Sequence, residues 1–327
     1  MKLEIAVDSY ESLINAQNGG ADRIELCSAL EIGGLTPSYG LIKQASKLED
    51  IEVFVMIRPR SGDFYYNSTE IETMKLDIDA VKQAHLDGIV IGILDQEGRL
   101  DIDKLSEIVE YAKPLLVSLH RAFDVAKNSE DDIEKLIDIG IIRILTSGKM
   151  LNAPSGSNLI TSLQKSYGNK IEIMPGSGVT SDNLEELYKT TGCKSYHMSG
   201  KKKVQSKLKY RSEIKFSEDD YSRNVTDEEE VRKSKEILEK LEKSMASKTS
   251  LNDINAQARK DTIEWDTIKF RDLDYFKDHI IAINFESLAF QEMTYNDLYN
   301  YVKEFIDFHG YELKEYSIPI GEKKKEY

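Results

Sequence analysis

The chain begins MKLEIAVDSYE (1–11), in which the apolar run Leu3–Val7 is followed directly by polar residues without a glycine. This run has the length and composition of a buried β-strand. A dinucleotide-binding sheet would carry a glycine-rich fingerprint just after such a strand, because the pyrophosphate of the cofactor approaches the backbone there. Asp8–Glu11 stands in that place, which argues against an open sheet of the Rossmann type.

Seven further apolar runs follow within the first 200 residues, at the spacing expected of alternating strands and helices. They are Arg23–Cys27, Val53–Ile57, Gly88–Leu94, Leu115–Leu119, Arg143–Thr146, Ile171–Met174 and Ser195–Met198. Continuous apolar runs are typical of parallel strands that are covered on both faces. The segments between them show helical spacing; Leu105, Ile108 and Val109, for example, lie at i, i+3 and i+4.

Polar residues gather just beyond the carboxyl end of most of these runs, where a TIM barrel collects its active site. Eight strands and their helices are compatible with a closed barrel or with an open doubly wound sheet. The missing fingerprint and the polar strand ends favour the barrel. We therefore predict an α/β fold, a (βα)8 TIM barrel with a small C-terminal extension.

The character of the chain changes after about residue 246. The polar stretch Ser247–Lys260 is interpreted as a linker, and Ile280–Phe285, Tyr295–Phe308 and Glu312–Ile318 as a strand, a helix and a strand. We predict a barrel over residues 1–246 and an extension of unknown role over residues 247–327. The extension could form a small α/β unit or pack on the side of the barrel, and its end is expected to be frayed.

Composition excludes several classes of function. The chain has 58 acidic and 44 basic residues and a net charge of −14, so its surface repels nucleic acid and anionic lipid. No stretch approaches 18 apolar residues and the start lacks the apolar run of a signal peptide, so we expect a cytoplasmic protein without a membrane span. Two cysteines, Cys27 and Cys193, without a CxxC pair indicate neither a disulfide framework nor a zinc finger.

Ionisable side chains at the strand ends allow two interpretations. They could form an ion-pair network that holds the barrel together, because buried charges are costly unless they are paired. They could instead line a functional pocket, which we favour. Glu25, His120 and Asp124 are then the candidates for proton transfer. The candidates for binding an anionic ligand are Glu4, Arg58, Arg60, Arg121, Ser147, Gly176, Ser177, Gly178, His197 and Ser199.

Within this set, Arg58 and Arg60 are expected to clamp the anion. The loop PGSG (175–178) is expected to bind phosphate through its backbone amides, since TIM barrels often hold phosphate after strands seven and eight. The same glycines could simply permit a tight turn. His120 and His197 could act as acid–base groups, as metal ligands or as structural residues, and Cys27 could be a ligand or a core residue.

Eight segments of the sequence resemble the CutC family, whose members are known as copper-homeostasis proteins. They are ADRIELC (21–27), GGLTPSYG (33–40), MIRPRSGDFYY (56–66), GIVIGILDQEG (88–98), HRAFD (120–124), RILTSG (143–148), PGSGV (175–179) and HMSG (197–200). Their order and spacing cover residues 1 to about 242. The resemblance implies a TIM barrel, in agreement with the strand pattern.

The resemblance also implies Cu(I) binding and assembly into a homo-oligomer. Cu(I) prefers soft thiolate and thioether ligands, followed by imidazole. Cys27 is then the leading metal ligand, with His120, His197 and Met56 as possible partners. Ala6 replaces a cysteine that some relatives carry, and Ser195 stands where an acidic residue is common.

Two functions therefore stay open. The first is copper homeostasis with Cu(I) bound in the cytoplasm. The second is a barrel enzyme that acts on a small anionic or phosphorylated metabolite, which the arginines, carboxylates, histidines and glycine amides suit better than a soft metal ion. An interaction module that recruits a partner through residues 247–327 is a third possibility.

Overall fold

The computed structural model describes residues 1–214, 220–260, 317–320 and 323–326. Its central feature is a sheet of eight parallel strands. These are β1 (Lys2–Val7), β2 (Arg23–Leu26), β3 (Glu52–Met56), β4 (Gly88–Ile91), β5 (Leu116–Leu119), β6 (Ile141–Thr146), β7 (Glu172–Pro175) and β8 (Ser195–Met198).

Neighbouring strands are hydrogen-bonded in the order β7-β6-β5-β4-β3-β2-β1-β8, and every pair is parallel. The sheet therefore curls round until β7 and β8 lie side by side. Within the described residues, no hydrogen-bonded ladder joins these two strands. The result is a nearly closed barrel with helices between its strands, and the predicted TIM barrel is confirmed.

Nine α-helices are described. They are α1 (Tyr10–Asn18), α2 (Tyr39–Ala45), α3 (Ser68–Gln83), α4 (Ile102–Ala112), α5 (Ala122–Val125), α6 (Ile133–Asp138), α7 (Ser157–Tyr167), α8 (Ser181–Thr191) and α9 (Glu228–Lys260). The polar residues after β1 start α1, because the Ser9 side chain accepts a hydrogen bond from the Ser12 amide at 3.2 Å. None of the described helices combines the length and hydrophobicity needed to cross a membrane.

The main hydrophobic core lies between the sheet and the helices, not inside the barrel. Leu3, Ile5 and Val7 of β1 belong to this core together with Leu13 and Ala16 of α1. Each large apolar side chain buried in this way contributes about 1.5–3 kcal/mol. Because side chains alternate along a strand, the residues between them face the barrel interior.

The lower interior of the barrel holds an ion network made of Glu4, Arg23, Arg143 and Glu172. The Arg23 guanidinium, 2% exposed, donates to Glu4 and, at 2.8 Å, to Glu172. Arg143 donates to the same Glu172 oxygen at 2.8 Å and to Ser118 Oγ at 2.8 Å. The ion-pair interpretation therefore applies to this lower layer.

Ion pairing, rather than burial, determines the direction of the pKa shifts in this interior ion network. Burial alone would lower the pKa of Arg23, but Glu4 and Glu172 outweigh burial and raise that pKa above its ordinary value. Burial alone would raise the pKa of Glu172, whereas Arg143 and Arg23 lower it. Arg23 and Glu172 therefore stay ionised, and removing either would leave a buried charge without its partner.

Two features lie beyond β8. Strands β9 (Lys201–Gln205) and β10 (Ser222–Thr226) form an antiparallel hairpin that the sequence patterns did not predict.

The chain divides into two compact units, Met1–Glu242 and Lys243–Tyr327. The stretch Ser247–Lys260, interpreted as a linker, is helical instead, since its alanine, lysine and glutamine residues are good helix formers.

In the second unit, β11 (Ser317–Ile320) pairs with β12 (Lys323–Glu326), which lies where a frayed end was predicted. The elements predicted at Ile280–Phe285 and Tyr295–Phe308 lie outside the described residues, as does most of Glu312–Ile318. The domain boundary at residue 246 stays a prediction.

The variant Arg23→Met tests the interior ion network. We expect the free energy of unfolding to fall by about 3–5 kcal/mol, because Glu4 and Glu172 lose a buried partner. Urea unfolding followed by circular dichroism measures this change. Lys2→Met is the control, since the Lys2–Glu52 pair is nearly half exposed and its loss should cost less than about 1 kcal/mol. Equal effects of the two variants would contradict the role given to the network.

Candidate functional site

A cavity of about 920 Å³ opens at the carboxyl ends of the strands. We call it the mouth cavity, and its volume suits a small metabolite. The predicted site residues in its wall are Glu25, Arg58, His120, Arg121, Ser177, Gly178, His197 and Ser199. Those outside the wall are Glu4, Cys27, Arg60, Asp124, Ser147 and Gly176.

Glu25 and His197 form a buried ion pair in the wall. His197 Nε2 lies 2.9 Å from Glu25 Oε2 and 3.8 Å from Glu4 Oε1. Burial alone would lower the pKa of His197, but the two carboxylates raise it above its ordinary value. Burial alone would raise the pKa of Glu25, but His197 lowers it. The pair is therefore a carboxylate and an imidazolium.

His120 has the opposite protonation state, although it shares this wall. Burial lowers the pKa of His120 to about 4, with a contribution from the positive charge of Arg58. Its Nδ1 atom accepts a hydrogen bond from the Ala122 amide at 3.0 Å, so the ring proton of the neutral form sits on Nε2. Gly92 is needed beside this ring, because a Cβ there would lie 2.3 Å from His120 Cε1.

Three buried atoms of residues in this wall make no hydrogen bond to any described residue: Glu25 Oε1, His120 Nε2 and Arg58 Nε. Such atoms are rare in folded proteins, because burying a polar group without a partner costs about 1–3 kcal/mol. Glu25 Oε1 is an acceptor, and the other two are donors. The wall thus offers both kinds of contact to a ligand.

Arg58 lines the mouth cavity but is held by the protein itself. Its guanidinium donates to the carbonyl oxygens of Ile32 and Gly34 at 3.0 Å and of Gly62 at 2.9 Å. It also lies 4.9 Å from the centre of the Phe64 ring. Arg58 therefore fixes the loops after β2 and β3 in position.

Arg60 lies outside the cavity because the loop turns away after Arg58. Its guanidinium bonds to the carboxylates of Glu70, at 2.5 Å, and Asp63, at 3.1 Å, and it packs over the Tyr66 ring. The structure does not bring Arg58 and Arg60 together as the expected anion clamp.

Asp124, a candidate for proton transfer, is buried and saturated with hydrogen bonds. It accepts from Thr146 Oγ1 at 2.5 Å, from the amide and hydroxyl of Ser147 at 2.9 Å and from Arg121 Nε at 2.8 Å. Arg121 Nη2 also donates to Ser147 Oγ at 2.8 Å. These contacts tie the loops after β5 and β6 together, so the geometry favours a structural role for Asp124 and Ser147.

The PGSG loop contributes to the wall only in part. The Gly176 amide donates to the Thr146 carbonyl at 3.0 Å, so it is used by the sheet. Ser177 and Gly178 both have positive φ, +72° and +71°, and they face the cavity. The loop leads into α8, whose first residue, Ser181, donates its amide at 2.7 Å and its hydroxyl at 2.9 Å to the Glu230 carboxylate.

Glu230 was missed by the sequence reasoning. It lies in α9, more than thirty residues beyond β8, and no strand-end pattern marks it. It nevertheless lines the mouth cavity. Only the docking of α9 on the barrel brings it there.

Cys27 lies directly behind the wall. It is fully buried in a small apolar cluster with Phe54, Met56 and Val90, and its thiol lies 3.7 Å from Glu25 Oε2. Burial, followed by the charge of Glu25, raises the pKa of the Cys27 thiol well above its ordinary value. The other cysteine, Cys193, precedes β8 in a separate environment, and burial raises its pKa to about 12.

Two groups of atoms near Cys27 could bind metal. Cys27 and Met56 pack against the same glycine, since a Cβ on Gly34 would lie 3.1 Å from Cys27 Sγ and 3.6 Å from Met56 Cε. Ligand atoms of Glu4, Glu25 and His197 lie within 4.8 Å of one another. The first group is soft, whereas the second is rich in oxygen and suits harder divalent ions.

Comparison with known families gives one match over most of the barrel. The sequence profile of the CutC family matches residues 1–202. A relative from Vibrio parahaemolyticus that is named a family protein CutC is 47% identical over 201 residues, which are 61% of this chain and 81% of that protein. One from Pasteurella multocida with the same name is 41% identical over 243 residues, 73% of this chain and 100% of that protein.

A solved structure agrees. The crystal structure from Streptococcus agalactiae that carries the name copper homeostasis protein CutC superposes with a TM-score of 0.59 at 33% identity. The match covers 61% of this chain and 98% of that structure.

The protonation states of the two wall histidines can be measured by NMR on histidine-labelled protein. We expect His120 to titrate near pH 4 and His197 above 6.5. Between pH 6.5 and pH 4, His120 is protonated in the unfolded chain but neutral in the native protein. Lowering the pH through this range therefore reduces the free energy of unfolding by up to about 3 kcal/mol through His120. Glu25→Gln should lower the pH midpoint of His197, whereas Glu31→Gln, a change of an exposed residue outside the wall, should not. An unchanged midpoint in Glu25→Gln would contradict the ion pair.

Proposed function

We propose, from the premise that this chain belongs to the CutC family, that the protein acts in copper homeostasis and binds Cu(I) at the base of the mouth cavity. The observation that carries the proposal is the packing of the Cys27 sulfur and the terminal methyl group of Met56 against Gly34. Thiolate and thioether are the side-chain ligands that Cu(I) prefers. A cytoplasmic location and a homo-oligomer are parts of this proposal.

Charge balance supports the soft pair as the place for copper. Cys27 is a neutral thiol because its pKa is raised, so binding replaces the thiol proton by one Cu⁺ ion and releases the proton to solvent. The net charge next to Glu25 is then unchanged. The group of Glu4, Glu25 and His197 would instead offer Cu(I) two hard carboxylate ligands and one borderline imidazole ligand, and a soft monovalent ion does not favour such a set.

The test is a Cu(I) titration against a competing chelator under reducing conditions. We expect Cys27→Ser to lose at least about a hundredfold in affinity and Met56→Leu about tenfold, because each removes a soft ligand. Cys193→Ser is the matched control, a second buried thiol that should leave the affinity unchanged.

The pH dependence gives a second readout of the same experiment. Below the raised pKa of Cys27, the apparent affinity should increase about tenfold per pH unit, since each bound ion displaces one proton. Wild-type affinity in Cys27→Ser, or an affinity independent of pH, would refute binding through this thiol.

The unpartnered atoms of Glu25 and His120 in the wall favour a second function, an enzyme that acts on a small polar molecule. Glu25 is ionised and could accept a proton through Oε1, while neutral His120 could donate a hydrogen bond from Nε2 to a carbonyl oxygen. A carboxylate base opposite a neutral imidazole is an arrangement that enzymes use for proton transfer next to a carbonyl group. The low pKa of Glu25 limits its strength as a base until a ligand perturbs it.

A thermal-shift screen of small metabolites, run beside Cu(I), tests this second function. A true ligand at about one hundred times its Kd should raise Tm by about 5–10 °C. The shift should be lost in His120→Gln and kept in His85→Gln, whose histidine lies outside the wall. If Cu(I) were the sole compound to shift Tm, the result would refute the enzyme function and would agree with the copper proposal.

A further inference from the structure

We infer that the mouth cavity selects a neutral, hydroxylated molecule and excludes phosphate, because the carboxylate of Glu230 already fills the anion position at the start of α8. This inference rests on the second function proposed above. It names the class of ligand that the cavity would take.

The contacts of Glu230 are those that a bound anion would make. Its two oxygens accept separately from the Ser181 amide at 2.7 Å and from the Ser181 hydroxyl at 2.9 Å. Ser181 is buried and begins an eleven-residue helix, so its amide is one of the free donors at a positive helix end. Phosphate bound at a helix start uses the same donors.

Glu230 is held in this position by the anchoring of α9 on the barrel. The next residue, Val231, is fully buried, and it packs so tightly against Gly19 that a Cβ there would lie 2.6 Å from Val231 Cβ. The Asp227 amide donates to the Gly200 carbonyl at 2.7 Å. Further along, Lys235 bonds to Asp22 at 2.7 Å. The carboxylate therefore belongs to the wall.

The neighbouring charges also oppose a phosphate. Asp182 and Asp227 line the cavity together with Glu230, and Asp227 is paired with Lys202 at 2.8 Å. The cations of the wall are largely engaged, since Arg58 bonds to three carbonyl groups and leaves only its Nε atom unpartnered, and Arg121 bonds to Asp124. Lys201 stands exposed at the rim. A dianion at Ser181 would meet repulsion that these cations do not offset.

Elsewhere in the wall, the unpartnered atoms of Glu25 and His120 call for a hydroxyl group. Glu25 Oε1 can only accept a hydrogen bond, and His120 Nε2 can only donate one. A hydroxyl group does both, by donating to the carboxylate and accepting from the imidazole. A charged phosphate oxygen would have no proton for Glu25, and the negative charge of the phosphate would be repelled by that carboxylate. Sugars, polyols and hydroxycarbonyl compounds have the required groups.

The test uses inorganic phosphate as the probe and the Ser181 backbone amide as the NMR reporter, on the full chain. In the wild type, we expect phosphate to leave this resonance unmoved. Glu230→Ala should bind phosphate at least about tenfold more tightly than the wild type, with a shift of the Ser181 amide, because the donors are released and a negative charge is removed. Glu236→Ala, an exposed residue of the same helix, should behave like the wild type.

Glu230→Gln can keep the hydrogen bond from the Ser181 amide to one oxygen without the negative charge. It should show a smaller gain than the alanine variant, and it serves as the test if the alanine variant does not fold. Wild-type protein that binds phosphate at Ser181, or folded Glu230 variants that gain nothing, would overturn the inference. The phosphate assay needs no substrate, so its result does not depend on the metabolite screen. A failed screen would refute the enzyme function, whereas a failed phosphate assay would refute this inference.

Discussion

The charges buried inside the barrel between β-strands have to neutralise one another, because an unpaired buried charge costs several kcal/mol. Six ionisable groups follow one another from the base of the barrel to its mouth. They are Glu172, Arg143, Arg23, Glu4, His197 and Glu25. Among these six groups, three carboxylates face two guanidinium groups, so this column is neutral only when His197 is protonated; the nearly half-exposed Glu52 adds a contact to Arg23 at 3.5 Å. The charge of His197 therefore links the interior ion network to the candidate site.

This constraint explains why two histidines of one wall differ. His197 lies between Glu25 and Glu4 and completes the neutral column. His120 lies outside the column and near Arg58, so burial keeps it uncharged. The site thereby contains a carboxylate, a cation and a neutral hydrogen-bond donor within one cavity. This set could bind and polarise a small molecule. The sulfur-containing side chains of Met56 in the wall and Cys27 behind it differ from the set in chemistry.

The barrel was predictable because hydrophobic burial repeats along the chain, and the meeting of Glu25, His120 and His197 followed from strand alternation at one end of a closed sheet. Loop residues were not predictable in the same way. Arg60 and Asp124 follow strands just as closely, but the loops turn them toward protein partners. Glu230 depends on the docking of a distant helix, which no local pattern encodes. Side-chain direction in loops is a property of tertiary packing.

The junction between β7 and β8 has a mechanical consequence. Elsewhere around the barrel, each strand is fastened to the next by backbone hydrogen bonds, whereas in the described chain no such ladder joins β7 to β8. Of all the strand junctions, this one is expected to open at the lowest energetic cost, because no backbone ladder has to be broken. The loops that bear Ser177 and Ser199 follow these two strands, so an opening at this junction would widen the entrance to the cavity.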